Sequence, residues 1–267
     1  MRSLLTFDCD GEELGASLDR GSGEVALILS TGGSQTRVGS HRMYERLANG
    51  LAEQGFTCLR FDRRGVGDSS GEDPGFRGSG ADIEAAAAAL RREAPAVRRV
   101  YGFGLCDGAT ALALFAGEAG VEGVILANPW LVEAEAGDPA AAAVQAHYRQ
   151  RLASFDGWRR LLTGGVDYRK LIKGIGKVAR GDKASTLAAD VAAGLKRSRV
   201  PAQLILASGD NTAIAAENEL RSKDFRGLIS EAQKIDTDSH TFARSGDEPA
   251  LLAAVLEALR RLEAQAS

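Results

Sequence analysis

Residues 100–109 read VYGFGLCDGA, and this stretch decides how the rest of the chain is organised. Its first four residues are an apolar run typical of a buried strand, and a helical pattern begins at the cysteine. Between them lies Gly-x-Cys-x-Gly, where glycines two positions before and after Cys106 allow a strained backbone and close packing. The pattern predicts a nucleophile elbow with Cys106 at the helix N-terminus, where the helix dipole favours a thiolate. A buried structural cysteine is the alternative.

Alternating strand and helix patterns flank this stretch on both sides. Short runs rich in Val, Ile and Leu predict strands at 25–30, 57–61, 100–103, 124–128, 203–207 and 231–235. Helical patterns fall at 41–54, 82–93, 106–116, 214–222 and 249–263. The turn dipeptide Asp10-Gly11 joins segments 3–9 and 14–18 in a predicted antiparallel hairpin. The alternation predicts an α/β fold with a mostly parallel central sheet flanked by helices.

Residues 131–199 interrupt this alternation, because they have helical patterns but no strand pattern. A structureless loop of that length would be unusual, so we predict a helical lid inserted into a core of residues 1–130 and 200–267. The segment has thirteen Lys or Arg and seven Asp or Glu, a charge of +6, whereas the whole chain has −3. It is either a solvated helical face or a surface that attracts an anionic substrate or an acidic carrier protein.

Three histidines could serve as the base for a thiol nucleophile. His240 follows the last predicted strand and precedes the last predicted helix, which makes it the first choice. His147 lies within the predicted lid and is interpreted as a helix-surface residue. His41 opens the first predicted helix, as a structural residue or at the edge of the substrate site.

The acid that orients the histidine is expected after the preceding strand, where LILASGD ends at Asp210. The chain order Cys106, Asp210, His240 is then nucleophile, acid and base, the order that accompanies a nucleophile elbow. An ordinary turn or N-cap aspartate is the alternative for Asp210. Asp236 and Asp238 are closer to the histidine in sequence but are predicted to be loop residues.

Acyl transfer also needs hydrogen-bond donors for the oxyanion that forms on the substrate. One expected donor is the backbone N–H of Asp107, next to the nucleophile. The other is expected in the loop after strand 25–30, where the backbone N–H of Gly33 or of Ser34 is the candidate. Because a carboxylate beside a thiolate opposes its ionisation, we expect the Asp107 side chain to point away.

Composition and charge exclude several classes of protein. The 267 residues are 44% apolar and 26% charged, which excludes wholesale disorder. Three cysteines and three histidines, without Cys-x-x-Cys, argue against a disulfide framework and a metal site. The net charge of −3 argues against nucleic-acid binding. No apolar run is long enough to span a bilayer, and the early acidic residues do not fit a signal peptide. We therefore expect a cytoplasmic protein without a cofactor.

These motifs make the sequence resemble the α/β-hydrolase superfamily over nearly its whole length. The stretch FDRRGVGDSSG at 61–71 is similar to the D-x-R-G-x-G-x-S-x-G loop of that superfamily. Four blocks more narrowly resemble the exosortase A system-associated hydrolase 1 family: GGSQTRVGSHR at 32–42, GLCDGA at 104–109, ANPW at 127–130 and WRRLLTGGVDYRKLI at 158–172. The resemblance implies the α/β-hydrolase fold and a catalytic triad. Members of the narrower family are encoded beside bacterial exopolysaccharide and protein-sorting loci, and the resemblance implies no substrate.

The expected activity is that of a cysteine-dependent acyl hydrolase or acyltransferase, acting on a small-molecule or carrier-bound ester or thioester. Cys106 would attack, His240 would move the proton, and Asp210 would hold the imidazole tautomer. Most members of the superfamily have serine at the elbow. Dienelactone hydrolases are similar in using cysteine but lack a lid of this size. A thioester intermediate leaves transfer to another acceptor as open as hydrolysis.

Cationic residues around the expected pocket mouth suggest what the substrate carries. Arg37, Arg63 and Arg64 are predicted to bind substrate, together with His41 at its edge. With the basic segment 131–199, they favour an acyl-carrier or sugar-linked anionic substrate.

Two other classes of function stay open at this point. A non-catalytic member of the fold would bind a lipid, a saccharide precursor or a partner protein, because a fold does not fix function. A redox-sensing Cys106 is disfavoured, since Cys9 and Cys58 are predicted strand residues and neither is close in sequence.

Overall fold

The structure, a computed structural model, describes residues 1–132 and 186–266. These residues form a single eight-stranded sheet in the order β1-β2-β4-β3-β5-β6-β7-β8. The strands are β1 (Arg2–Cys9), β2 (Glu12–Asp19), β3 (Val25–Ser30), β4 (Thr57–Phe61), β5 (Arg99–Leu105), β6 (Val124–Ala127), β7 (Ala202–Ala207) and β8 (Gln233–Ile235). The hairpin β1–β2 pairs antiparallel with β4, and all other pairs are parallel.

Helices cover both faces of this sheet. They are α1 (Met43–Glu53), α2 (Gly75–Gly78), α3 (Gly80–Glu93), α4 (Asp107–Phe115), α5 (Thr186–Ser198), α6 (Asn211–Leu220) and α7 (Asp247–Ala266), with single 3-10 turns at Ser40–Arg42 and Lys223–Phe225. One apolar cluster joins α1 and α7 to one face, and a second joins α3, α4 and α5 to the other. Within the described residues, no helix is long and apolar enough to cross a membrane.

The central strands are buried on both faces, which explains their unbroken apolar runs. Along β3, Leu27 and Leu29 belong to the cluster under α1 and α7, whereas Ile28 belongs to the opposite cluster. Successive side chains of a strand point to opposite faces, so a strand covered by helices on both sides must be apolar at every position. The same alternation places Val100 and Tyr101 of β5 in different clusters.

The sheet order changes direction at β3, and this positions the site. The chain leaves β3 toward α1 on one face and leaves β5 toward α4 on the other. The loops after two adjacent parallel strands therefore diverge, which opens a crevice at the carboxyl ends of β3 and β5. Ligand sites of α/β sheets lie at such switch points.

The predicted α/β architecture, a mostly parallel central sheet flanked by helices, is confirmed. Strand positions agree closely, whereas helix boundaries shift: α6 begins at Asn211 rather than 214, and α7 begins at Asp247 rather than 249. Cys106 itself lies outside α4, which starts at Asp107. The short helix α2 was not predicted.

The predicted lid, 131–199, falls largely outside the described residues, because nothing is described between 132 and 186. Its last part forms α5, whose buried face packs on α4. A Cβ on Gly194 would lie 2.9 Å from the backbone oxygen of Ala113, so the two helices approach closely. The division into core and lid stays a prediction.

Candidate active site

Cys106 lies in the tight turn between β5 and α4. Its φ of 60° and ψ of −128° are values that a non-glycine residue rarely adopts. A Cβ on Gly104 would lie 2.6 Å from the backbone nitrogen of Ala109, and one on Gly108 would collide with the backbone oxygen of Ser30. The packing of α4 against β5 and β3 therefore requires glycine on both sides of the strained cysteine.

His240 and Asp210 meet beyond the ends of β7 and β8. The imidazole Nδ1 of His240 donates to the Asp210 carboxylate Oδ2 at 2.8 Å. The same oxygen accepts the backbone N–H of Ala213 at 3.0 Å, so Asp210 is also the N-cap of α6. The His240 imidazole also lies close enough to the Cys106 thiol to lower the pKa of that thiol. The structure thus brings the three predicted triad residues together in the order that general-base activation of a thiol needs.

The Cys106 thiol is buried, and its surroundings oppose ionisation. Burial raises the pKa of Cys106 above its ordinary value, and the neighbouring Asp107 carboxyl raises it further. The His240 imidazole lowers this pKa but does not overcome burial. These surroundings favour the neutral thiol over the thiolate.

The alternatives considered for base and acid lie elsewhere. His41 Nε2 is 2.9 Å from the backbone oxygen of Thr241, so it contacts the loop that carries His240 but is not the Asp210 partner. Asp238 pairs with Arg244 at 2.5 Å. Asp236 accepts a hydrogen bond from the Ser208 hydroxyl at 3.4 Å. His147 lies outside the described residues.

Asn128, which was not among the predicted site residues, holds the His240 loop in place. It follows β6 with φ of 40° and is fully buried. Its side-chain amide donates to the backbone oxygen of His240 at 2.9 Å, and its amide oxygen accepts the N–H of Ala207 at 2.8 Å. The available signal was a polar residue directly after a buried strand, inside the ANPW block.

The Asp107 side chain turns toward the expected oxyanion loop, and the expectation that it points away is wrong. The backbone N–H of Gly33 donates to Asp107 Oδ1 at 2.6 Å. The backbone N–H of Asp107 faces the Cys106 thiol and lowers its pKa. Ser34, the other candidate donor, is exposed in the turn after β3. The predicted Gly33 donor is thus engaged within the protein itself.

Arg37 and Arg64, predicted to bind substrate, form ion pairs with carboxylates of the chain. Arg37 pairs with Asp62, and with Asp68 at 2.7 Å. Arg64 pairs with Asp82 at 2.8 Å. Their charges are largely neutralised by these partners, and a role in substrate binding stays a prediction.

Arg63 differs from these two, because its side chain is only 3% exposed and lies behind the oxyanion loop. It donates to the backbone oxygen of Gly33, and its guanidinium lies 3.6 Å from Asp73 Oδ1. Both backbone groups of Gly33 are therefore held, its N–H by the Asp107 carboxyl and its C=O by Arg63. Arg63 positions the loop, and direct contact with substrate stays a prediction.

The described residues contain neither a candidate metal site nor a disulfide. Over 1–132 and 186–266, no group of three or more His, Cys, Asp or Glu residues could hold a metal ion. Cys9, Cys58 and Cys106 are all free thiols.

Solved structures with the same fold cover nearly the whole chain. The α/β-hydrolase GrgF from Penicillium sp. sh18 has a TM-score of 0.65 at 20% identity and covers 99% of both chains. Est1E from Butyrivibrio proteoclasticus, solved with ferulic acid, has a TM-score of 0.63 at 18% identity, covering 97% of this chain and 99% of that chain. An esterase from Pyrococcus furiosus has a TM-score of 0.67 at 16% identity, covering 98% and 91%. No curated protein sequence matches the chain.

The sheet order, the strained turn after β5 and the loops after β7 and β8 define an α/β-hydrolase. Within that class, the family described as serine aminopeptidase, S33 matches residues 36–219, and the chain belongs to this family. The description names a serine, whereas the elbow of this chain has Cys106.

Proposed function

We propose that this chain transfers an acyl group from an ester or thioester to water or to a second acceptor, through a covalent intermediate on Cys106. The single observation that carries the proposal is the His240–Asp210 hydrogen bond at 2.8 Å, with its imidazole beside the Cys106 thiol, whose pKa it lowers. A buried thiol at a strained turn, with a base and an orienting acid beside it, is the arrangement that nucleophilic catalysis needs.

The reaction would proceed in two balanced steps. In the first, His240 accepts the thiol proton as the Cys106 sulfur bonds to the acyl carbon, and then gives it to the alcohol or thiol that leaves. In the second, His240 takes a proton from water or from the acceptor, which attacks the thioester, and returns the proton to the departing Cys106 sulfur. Asp210 keeps the Nδ1 proton on His240 in both steps, which leaves the other ring nitrogen to exchange protons.

Two finer assignments belong to this proposal. Cysteine in place of serine favours transfer as well as hydrolysis, because a thioester intermediate has time to meet acceptors other than water. The resemblance to the exosortase A system-associated hydrolases favours a role beside bacterial exopolysaccharide or protein-sorting systems. The +6 charge of residues 131–199 supports a carrier-bound or otherwise anionic acyl donor, although Arg37 and Arg64 are neutralised by their own partners.

Intact-mass spectrometry with a panel of activated acyl esters and acyl thioesters tests the proposal. We expect an acyl adduct on the wild type, none on Cys106→Ala, and at least about 100-fold slower labelling of His240→Ala. Cys9→Ala is the matched control and should label like the wild type, because burial raises the pKa of the Cys9 thiol to about 12. Labelling that persists in Cys106→Ala would overturn the assignment of the nucleophile.

The same experiment separates hydrolysis, transfer and simple binding. A Cys106 adduct that water clears within seconds indicates a hydrolase, and one that decays only after an acceptor is added indicates a transferase. Absence of any adduct, combined with ligand binding that survives Cys106→Ala, would favour the non-catalytic binding protein instead. Cys106→Ser asks whether the site works with the nucleophile named in the family's description.

A further inference from the structure

The Asp107 carboxyl group occupies the Gly33 N–H, which is the backbone group expected to bind the substrate oxygen. In acyl transfer on this fold, two N–H groups hold the oxyanion: one follows the nucleophile, and the other comes from the loop after β3. Gly33 lies in that loop, and its N–H is already bonded to Asp107 Oδ1 at 2.6 Å. A substrate oxygen cannot use the Gly33 N–H while Asp107 holds it.

The neighbouring glycine makes room for this carboxyl beside the nucleophile. A Cβ on Gly32 would lie 2.6 Å from Asp107 Oδ1 and 3.2 Å from the Cys106 Cβ. Any other residue at 32 would expel the carboxyl or displace the elbow. Asp107 Oδ1 therefore occupies space that is open only because residue 32 is a glycine.

Burial and the neighbouring groups together set the pKa of Asp107. Arg63 and the backbone N–H groups of Gly33 and Gly108 favour the carboxylate, whereas burial and the nearby Asp73 favour the acid. Burial is the largest of these effects, and it raises the pKa of Asp107. Arg63 is shared, because it also donates to the Gly33 carbonyl and lies near Asp73.

The charge of Asp107 also affects its titratable neighbours. These neighbours are Cys106, with His240 beside it, and the Tyr44 hydroxyl, which accepts the Leu105 N–H. A negative charge on Asp107 raises the pKa of both Cys106 and Tyr44. An anion here would oppose both the thiolate and the oxyanion, whereas a neutral carboxyl opposes neither.

We propose that Asp107 is a catalytic residue: the Gly33 N–H holds one oxygen of its carboxylic acid, and the other oxygen donates a hydrogen bond to the substrate's carbonyl oxygen. This rests on the acyl transfer proposed above. The donor remains bonded to its proton throughout, so the step needs no further reactant. The side chain thereby replaces the Gly33 amide as the second oxyanion donor, and it stabilises charge that develops only in the transition state.

An infrared difference spectrum tests the protonation without any turnover. We expect the wild-type minus Asp107→Asn spectrum at pH 7 to contain the C=O stretch of a protonated carboxylic acid. A difference that contains only carboxylate bands would overturn the proposal. Because this measurement needs no substrate, it determines the protonation state of Asp107 even if the wild type forms no acyl adduct and the proposed function fails.

Acylation kinetics with one activated ester test the donor. Asp107→Ala should lower kcat/KM about 100-fold, and Asp107→Asn, whose amide can donate to the same oxygen, should recover at least about tenfold of that loss. Asp107→Asn as slow as Asp107→Ala, or Asp107→Ala faster than the wild type, would contradict the proposal. Urea unfolding of both variants establishes that the fold is intact.

The pH profile supplies a readout that a purely structural role would not change. Ionisation of Asp107 removes the donor, so wild-type kcat/KM should fall as the pH rises through the Asp107 pKa, and Asp107→Asn should lack this fall. Asp73→Asn removes a carboxylate that raises the Asp107 pKa, so it should move the fall to lower pH. A fall that persists unchanged in Asp107→Asn would assign it to another group and contradict the proposal.

Discussion

Asn128 contacts the backbone of His240 rather than its imidazole, yet it decides where the imidazole lies. Its side chain joins the end of β7 to the histidine loop through the Ala207 N–H and the His240 oxygen. A buried amide with both ends satisfied fixes two chain segments relative to each other. We therefore regard Asn128 as a positioning residue for the proposed base.

Truncation of Asn128 should reduce catalysis more than binding. Asn128→Ala leaves the Ala207 N–H and the His240 oxygen without this partner, so His240 should drift from Cys106. We expect kcat to fall about tenfold or more with little change in KM, and stability to fall by about 1–3 kcal/mol. Asn218→Ala, on the solvent-facing side of α6, is the matched control for kinetics and urea unfolding. An unchanged kcat in a less stable Asn128→Ala would show that the loop does not need this anchor.

The proximity of the proposed site residues was predictable from their positions along the chain, and their roles stay proposals. Cys106, Asp210 and His240 each follow a recognisable strand, so their order predicted that they would meet. The orientation of Asp107 was not predictable, because it depends on Gly32 and Gly33 of a different loop. Charge repulsion from the thiolate alone suggested the opposite orientation, since the hydrogen bond from Gly33 was unknown.

At the scale of elements, Tyr44 of α1 bridges the two strands that form the crevice. The last residue pair between β3 and β5 is Ser30 with Gly104. Beyond it, the Tyr44 hydroxyl donates to the Ser30 oxygen at 2.8 Å and accepts the Leu105 N–H at 3.0 Å. Burial raises the pKa of Tyr44, so the hydroxyl stays protonated and can donate. The phenol thus substitutes for a strand-to-strand hydrogen bond where the crevice opens.

Removal of that hydroxyl should destabilise the protein through two buried backbone groups. Tyr44→Phe leaves the Ser30 oxygen and the Leu105 N–H without this partner, and we expect a loss of about 2 kcal/mol in the free energy of unfolding, measured in urea. Tyr101→Phe is the matched control: that ring is equally buried, but its hydroxyl reaches a partly exposed Glu263. Its loss should be smaller. Equal losses in the two variants would mean that the two hydrogen bonds of the Tyr44 hydroxyl stabilise the fold no more than the single bond of the Tyr101 hydroxyl.

The elements themselves were predictable to different degrees. Strands buried on both faces have continuous apolar runs, which is why β3, β4, β5 and β7 were predicted within a few residues. Helix ends were less accurate, because caps depend on tertiary partners: Asp210 caps α6 and also binds His240. The helix α5 has a helical pattern, but its packing on α4 joins two segments that are distant in sequence, so the pattern did not reveal its partner.

At the scale of the whole molecule, a network of charges ties the N-terminal hairpin to the body. Arg60 of β4 is almost fully buried and pairs with Asp19 of β2 at 2.9 Å. Arg2 of β1 pairs with Asp19 at 2.6 Å and with Glu45 of α1 at 2.5 Å. The network connects two antiparallel strands to a parallel strand and to a helix. Each carboxylate has at least one cation, which allows these charges to be buried together.

Glu45 makes this network sensitive to acid. Hydrogen bonds from Arg42 and Arg2 lower the pKa of Glu45 from 4.5 to about 2. A carboxyl whose pKa is lower in the folded state stabilises the protein fully above its unfolded pKa, and the contribution disappears as the pH falls toward the folded pKa.

Glu45→Gln should therefore cost about 1–2 kcal/mol in the free energy of unfolding at pH 6, and the difference from the wild type should shrink between about pH 4.5 and pH 2. Urea unfolding at several pH values measures this, with Glu53→Gln, an exposed position on the same helix, as the control. A difference that stays constant across that range would mean that Glu45 acts through packing rather than through its charge.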